Sequence, residues 1–207
     1  MRIINCEQGT PEWYAVRLGI PTASEFGKIF TPKTMKLSAS ADGYIDRLID
    51  EIVRPDAERG WGSNRHTERG HALEPEAREL YAFMRDDARV RPVGFVLRDD
   101  GRAGCSPDSL VDDDGGLEIK SPDGPTHIGY LRAGVLPDEY KPQVHGSLVI
   151  TKRAWWDFIS YCPGYKPLIV RVTPDDYTKK LAECLDQFLD RLDAAKAQFI
   201  EPIRSAA

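Results

Sequence analysis

Long apolar runs are missing from this chain. None of its 207 residues belongs to a stretch approaching the roughly 20 that a membrane-spanning helix needs, so no membrane association is expected. Cysteine is scarce. Cys6, Cys105, Cys162 and Cys184 form no C-x-x-C pair, which argues against a zinc ribbon, a thioredoxin-like site or a close set of iron–sulfur ligands. Reduced, buried packing is their expected role. Internal repeats and low-complexity linkers are absent. The opening Met1-Arg2-Ile3-Ile4-Asn5-Cys6 meets Glu7 too soon to be a secretory signal, and a cytoplasmic setting is expected. Positive charge is not in excess either. A net charge of −5 argues against a protein that coats nucleic acid non-specifically, but it permits a site where carboxylates gather. Basic residues do cluster locally, at Lys28, Lys33 and Lys36 and at Arg59, Arg65 and Arg69, although each alone reads as a solvated side chain.

What is present is an ordinary globular composition, with 41% hydrophobic and 29% charged residues. Its length suits one domain, here residues 1–207. Thr10-Pro11 opens a short helix, and Thr22-Ala23-Ser24-Glu25 has the form of a capping box opening a second. Helical spacing of Ile45, Leu48, Ile49, Ile52 and Val53 predicts an amphipathic helix over 39–53. A Pro- and Gly-bearing loop over 54–66 follows, then a helix carrying Leu73, Ala77, Leu80, Tyr81 and Met84. Strands are expected at 90–97, 103–111, 117–121, 155–161 and 168–173, helices near 126–134 and 138–150, and a long helix over 174–199. This order predicts an α/β fold with a central mixed β-sheet flanked by helices.

The segment richest in chemistry is Ser106-Pro107-Asp108, nine residues, then Glu118-Ile119-Lys120. Glu118 and Lys120 lie two apart on a predicted strand and project from one face. Asp112-Asp113-Asp114-Gly115-Gly116 is a turn, and folding about it brings Asp108 alongside Glu118 and Ile119. Two carboxylates then suit Mg²⁺, with the Ile119 carbonyl as a further ligand. Lys120 would hold or deprotonate an attacking water, or stabilise charge forming on a phosphate. Taken bare, the set reads better as a surface hairpin with a cross-strand salt bridge. The aspartate run lacks the alternate-ligand spacing of a calcium loop and reads as a solvated turn.

Pro107-Asp108 followed by Glu118-Ile119-Lys120 has the form of the PD-(D/E)XK nuclease signature. Further segments narrow it. Trp13 with Arg17-Leu18-Gly19 and Thr22-Ala23-Ser24-Glu25, then Gly70-His71-Ala72-Leu73-Glu74, Cys105 to Asp108, Leu117 to Pro122, and Gln143-Val144 together resemble the lambda exonuclease and YqaJ-type viral recombinase family. The resemblance runs from about residue 7 to 160. It implies a restriction-endonuclease-like core and a 5′→3′ exonuclease on linear double-stranded DNA that leaves a 3′ single strand. Asp108, Glu118, the Ile119 carbonyl and Glu74 would bind Mg²⁺, two ions per site, with Mn²⁺ able to substitute. Lys120 would be catalytic, Gln143 would orient the site, and Arg17 and Ser24 would hold the 5′-phosphate. A ring-shaped homotrimer, double-stranded DNA ends, a single-strand annealing protein and a phage-infected bacterial cytoplasm are the implied partners and setting.

Each of those residues has a plainer reading beside it: Glu74 precedes Pro75 and suits a helix start, Gln143 a helix surface, Arg17 a pair with Glu12 or Glu25, Ser24 a helix-opening hydroxyl. Arg17, Ser24 and helix N–H groups together make a sound phosphate site. Thr67 stands where the family has an apolar strand-parting side chain, which leaves that task to another residue or to Trp61. His71 and His145 read as structural. The rival functions on this core are a restriction- or repair-type endonuclease, which needs no 5′-phosphate pocket, and a non-catalytic DNA-end binder.

Overall fold

The computed structural model describes residues 1–57, 65–86 and 88–200, and the side chains of all of these but residues 65–68 and 71. Trp61 and Arg59 therefore lie outside the described residues, as do the side chains of Arg65, Thr67 and His71.

Strand β1 (Arg2–Ile4) precedes helix α1 (Pro11–Ala15), where the Thr10 side chain accepts the Trp13 backbone N–H and Pro11 takes the first turn. The expected second helix is a 3-10 helix, Ala23–Lys28, and its capping box is not made: Thr22 gives no side-chain cap and faces Ser24 and Arg17 instead. A small hairpin, β2 (Phe30–Thr31) with β3 (Lys36–Leu37), leads into α2 (Ala41–Val53) and then α3 (Arg65–Met84). The expected strand over 90–97 is two, β4 (Val90–Arg91) and β5 (Phe95–Leu97), and they belong to different sheets. Pro92 lies at the break and cannot donate to a ladder. The same happens at Ser106-Pro107, which separates β6 (Gly104–Cys105) from β7 (Ser109–Val111). Strand β8 (Gly115–Lys120) follows. Helix α4 (Gly124–Ala133), a single 3-10 turn (Asp138–Tyr140) and α5 (Lys141–Thr151) replace the two helices expected near 126–134 and 138–150. Pro142, in the first turn of α5, marks where the α-helix proper begins. Strands β9 (Trp155–Ser160) and β10 (Leu168–Val172) and helix α6 (Asp176–Phe199) complete the described chain. Asp175 and Thr178 form a reciprocal capping box at the start of α6.

The central sheet has the order β10-β9-β8-β7-β4 and is mixed, because β8 and β9 run parallel while the other neighbours are antiparallel. The parallel pair needs a crossover, and α4 and α5 supply it. Alternation along β8 divides its side chains between two layers. Leu117 and Ile119 pack with Ala77 and Tyr81 of α3 and with Ile159. On the other face Trp156 and Phe158 pack with Val144 and Leu148 of α5 and with Leu110. Truncating a buried ring such as Phe158 to Ala costs about 3–5 kcal/mol. Helices thus cover both faces of the sheet. No described helix is long and apolar enough to cross a membrane.

Glycine fixes the alignment of the parallel pair. A Cβ on Gly115 would lie 2.1 Å from the Trp155 ring, and one on Gly116 would lie 2.3 Å from the Trp156 ring. Only glycine lets those indoles cross the strand, in the register that sets Glu118 beside Phe158 and Lys120 beside Ser160.

Candidate active site

The hairpin of β7 and β8 pairs Ser109 with Leu117 and Val111 with Gly115, so a three-residue loop, Asp112 to Asp114, makes the turn. Asp112 adopts φ 46° there. One step further along the register, Asp108 stands beside Glu118, and its Oδ2 accepts the Ile119 backbone N–H. Glu118 is only 2% exposed. Its Oε1 accepts two hydrogen bonds, one from Lys120 Nζ and one from Gln143 Nε2, each 2.6 Å long. Its Oε2 is buried and has no partner. Asp108, Glu118, Ile119, Lys120 and Gln143 therefore meet in one place, carried by the residue just before β7, by β8 and by α5.

Burial pushes the Glu118 carboxyl up to about 7; Lys120 pulls it back, while Asp108 and Glu74 push it further. Burial works to lower the Lys120 ammonium, but Glu118 and Asp108 outweigh it and hold the group above its ordinary range. The ammonium is the firmer of the two charges. Tyr140 walls it in, with the ring centroid 5.4 Å from Lys120 Nζ and the ring stacked on Phe158 at 5.2 Å.

Glu74, on α3, approaches that cluster from the helix side and adds its charge to the field at Glu118. It is ion-paired to Arg78, one turn along α3. Both residues line an open cleft of about 590 Å³ with Asp108, Gln8 and Val93. Gln8 closes the N-terminal side, its Nε2 donating to the carbonyls of Val93 and Pro107 at 2.9 Å each.

Arg17 joins the site from the N-terminal side. Its Nη1 donates to Ser106 Oγ at 2.7 Å, and Trp13 Nε1 donates to the same oxygen at 2.9 Å. The guanidinium lies 4.0 Å from the Trp13 ring centroid. Its Nη2 reaches Thr22 Oγ1 at 3.4 Å, and Thr22 Oγ1 lies 3.3 Å from Ser24 Oγ. Arg17 Nε is buried without a partner. Burial lowers the Arg17 pKa, though a guanidinium stays charged. Ser24 is exposed and meets Arg17 through Thr22 rather than directly. The pairing of Arg17 with Glu12 or Glu25 is not formed; Glu25 pairs with Lys28 and Arg47. His145 is buried against Thr178 Oγ1 at 2.8 Å, a structural placement.

No three His, Cys, Asp or Glu side chains close into a cage among the described residues. The donor set suits Mg²⁺ nonetheless, since that ion takes one or two protein carboxylates and fills its remaining positions with water and phosphate oxygens. The buried, unpartnered Glu118 Oε2 beside Asp108 is where a cation would satisfy an oxygen that the protein does not.

Ser106, Tyr140 and Arg78 carry no role in the sequence reading. Arg78 had a signal in its spacing, four residues after Glu74 and so on the same helix face. Ser106 had one in its place beside Pro107-Asp108. Tyr140 had none beyond its proximity to Gln143.

A profile described as the YqaJ-like viral recombinase domain matches residues 12–154. The crystal structure of LHK-Exo, an alkaline exonuclease from Laribacter hongkongensis, is 30% identical with a TM-score of 0.74, covering 91% of this chain and 97% of that one. LHK-Exo in complex with dAMP aligns at 31% identity with the same TM-score and coverage. A phage-related exonuclease from Haemophilus somnus 129PT, 14% identical with a TM-score of 0.57, covers 85% of this chain and 96% of that chain and shares the fold. No curated protein matches the chain.

Proposed function

The chain belongs to the YqaJ-like viral recombinase family and is a nuclease of it; on that premise we propose that it is a Mg²⁺-dependent 5′→3′ exonuclease. Its substrate is linear double-stranded DNA, and its product strand ends in a 3′ overhang. All 207 residues form one PD-(D/E)XK domain on this reading. The observation that carries it is the convergence on Glu118: Asp108 alongside, Lys120 and Gln143 on Oε1, and Oε2 buried without a partner.

Asp108, Glu118 and the Ile119 carbonyl would hold the metal, with Glu74 contributing to a second ion or its water. Bound there, Mg²⁺ supplies positive charge to the scissile phosphate and lowers the pKa of an attacking water. Lys120 starts as a cation, so its task is to stabilise the charge that grows on the phosphate and to give a proton rather than to take one. Gln143 holds the carboxylate that Lys120 shares. Arg17, steadied by Trp13 and Ser106, reads the terminal 5′-phosphate with Ser24 at the rim. Because Ser106 is two residues from Asp108, the end-reading group and the cutting group are tied to one short segment between β6 and β7, which suits removal of one nucleotide at a time.

A closed homotrimeric ring would keep a net-negative enzyme on its track, and a single-strand annealing protein would receive the 3′ strand. Digestion of linear duplex labelled separately at each end, with and without Mg²⁺, tests the reading. Loss of the 5′ label first, only with metal, is expected. Internal cuts in a closed circle mean an endonuclease, and end binding without product means a non-catalytic binder.

A further inference from the structure

Arg78 projects from α3 into the cleft, with its side chain 20% exposed. Its Nη2 pairs with Glu74 Oε1 and donates to the Asp108 carbonyl oxygen at 3.3 Å. Its Nε donates to Ser109 Oγ at 3.0 Å, and the wholly buried Ser109 hydroxyl donates in turn to the same Asp108 carbonyl at 2.6 Å. One guanidinium therefore ties the acid on helix α3 to the main chain of the acid just before strand β7. The planar fork makes this possible, because its donors point in fixed, diverging directions. A lysine ammonium keeps the charge but not the fork.

We propose that Arg78 is a positioning residue for the metal site, fixing Glu74 and the Asp108 backbone relative to each other so that both carboxylates border one cation-binding space before a cation arrives. The proposal rests on the metal-dependent nuclease reading but can be separated from it by metal binding alone. Two other roles make different forecasts. A DNA contact would act on KM. A mere neutraliser of Glu74 would compete with metal, so its loss would tighten metal binding.

The test uses the full chain with Arg78→Lys and Arg78→Met. Mn²⁺ binding without DNA is followed by electron paramagnetic resonance with Mg²⁺ competition, beside thermal unfolding in EDTA and steady-state digestion. A charge-assisted hydrogen bond is typically worth about ten- to a hundredfold. Arg78→Lys is accordingly expected to weaken Mn²⁺ binding about tenfold or more. It should leave KM for DNA within about twofold, and activity lost at low Mg²⁺ should return at saturating Mg²⁺. Recovery by metal is a signature that a general brace between α3 and β7 does not give. Unchanged or tighter Mn²⁺ binding in folded Arg78→Lys overturns the proposal, as does a rise in KM alone. If Arg78→Met does not fold, Arg78→Lys decides. If the wild type binds Mn²⁺ yet cuts no DNA, the nuclease reading falls and the binding comparison still decides the role of Arg78.

Discussion

Lys120 Nζ and Glu118 Oε1 lie 2.6 Å apart on one face of β8, and both feel the charge of the neighbouring Asp108. A buried carboxylate keeps the ammonium in place, and the ammonium keeps the carboxylate partly charged. Lys120→Met should preserve the fold, leave KM for DNA nearly unchanged, and lower kcat on the order of 10²–10³, the usual effect of deleting one charge-stabilising donor. Single-turnover digestion of a short duplex reads the chemical step directly. A variant that cuts at the wild-type rate removes Lys120 from the mechanism.

The unpartnered Glu118 Oε2 leads to a second expectation. A buried, incompletely bonded carboxylate is costly, so Glu118→Gln should unfold at the same or a higher temperature than wild type in EDTA. The same substitution should abolish cleavage. Added Mg²⁺ should then raise the midpoint of the wild type and not that of the variant, because ligand binding stabilises only the chain that binds it. Thermal unfolding of both proteins with EDTA and with Mg²⁺ checks this. A clear loss of stability in EDTA would show that the carboxylate is structural.

The raised Glu118 carboxyl sets a pH dependence for metal binding. Burial lifts it to about 7, so below that pH the group carries a proton that a cation must displace. Apparent Mg²⁺ affinity should therefore fall as pH drops from 8 to 6, by up to about tenfold per unit once the carboxyl is protonated. Calorimetric titration in two buffers of different ionisation enthalpy should detect proton release near neutrality. Affinity that is flat over this range contradicts the assignment of Glu118 as a ligand.

Asp157 offers a separate pH test, on stability. It is 0% exposed on β9 and accepts from Arg171 Nε at 2.8 Å, Arg85 Nη2 at 2.6 Å and Tyr81 OH at 2.7 Å. Burial raises its carboxyl, but the bonds from Arg171, Arg85 and Tyr81 outweigh that and hold it below the ordinary value. A depressed carboxyl stabilises the fold above its unfolded pKa, about 3.9, and that stability is lost as pH falls through the folded value. Asp157→Ala at pH 7 should cost on the order of 1–3 kcal/mol, chiefly from leaving the buried Tyr81 hydroxyl without its acceptor, since Arg85 and Arg171 can turn to solvent. The gap between wild type and the milder Asp157→Asn should narrow below about pH 4 in urea denaturation. A gap that stays constant down to pH 3 rules out the linkage.

Much of the fold was legible because hydrophobic period is a local signal. The face Leu181, Leu185, Phe188, Leu189 and Leu192 marks α6, and alternation across Glu118 and Ile119 marks β8. What the period misses is where strands change sheets. Val90 to Leu97 reads as one β-rich run, yet Pro92 hands the chain from one sheet to another, a tertiary event with only a one-residue trace. The hairpin around Asp108 and Glu118 follows from a period of two and a strong turn. The pairing of Arg78 with Glu74 had a local trace, but its bonds to Ser109 and the Asp108 carbonyl, and those of Ser106 to Arg17 and Trp13 over 89 and 93 residues of chain, lie across the fold.

That last contact gives the sharpest test of polarity. Arg17 stacks on Trp13 and bonds Ser106, two residues before Asp108, so an end-reading group there sits at a fixed offset from the cutting site. A terminal phosphate carries more charge than an internal diester, and a guanidinium beside hydroxyls favours it. Losing one charged hydrogen bond typically costs about 1.5–3 kcal/mol, roughly ten- to over a hundredfold in rate. Arg17→Ala should therefore slow digestion of 5′-phosphorylated duplex by that factor and slow 5′-hydroxyl duplex far less, so the two ends become alike. Ser106→Ala frees the guanidinium without removing it and should give a smaller loss in the same direction. Rates on both ends, for wild type and both variants at one salt concentration, decide the matter. Equal wild-type rates on the two ends, or an equal loss on both in Arg17→Ala, would mean that Arg17 braces the segment of Asp108 without reading the phosphate, and the endonuclease reading would then take precedence.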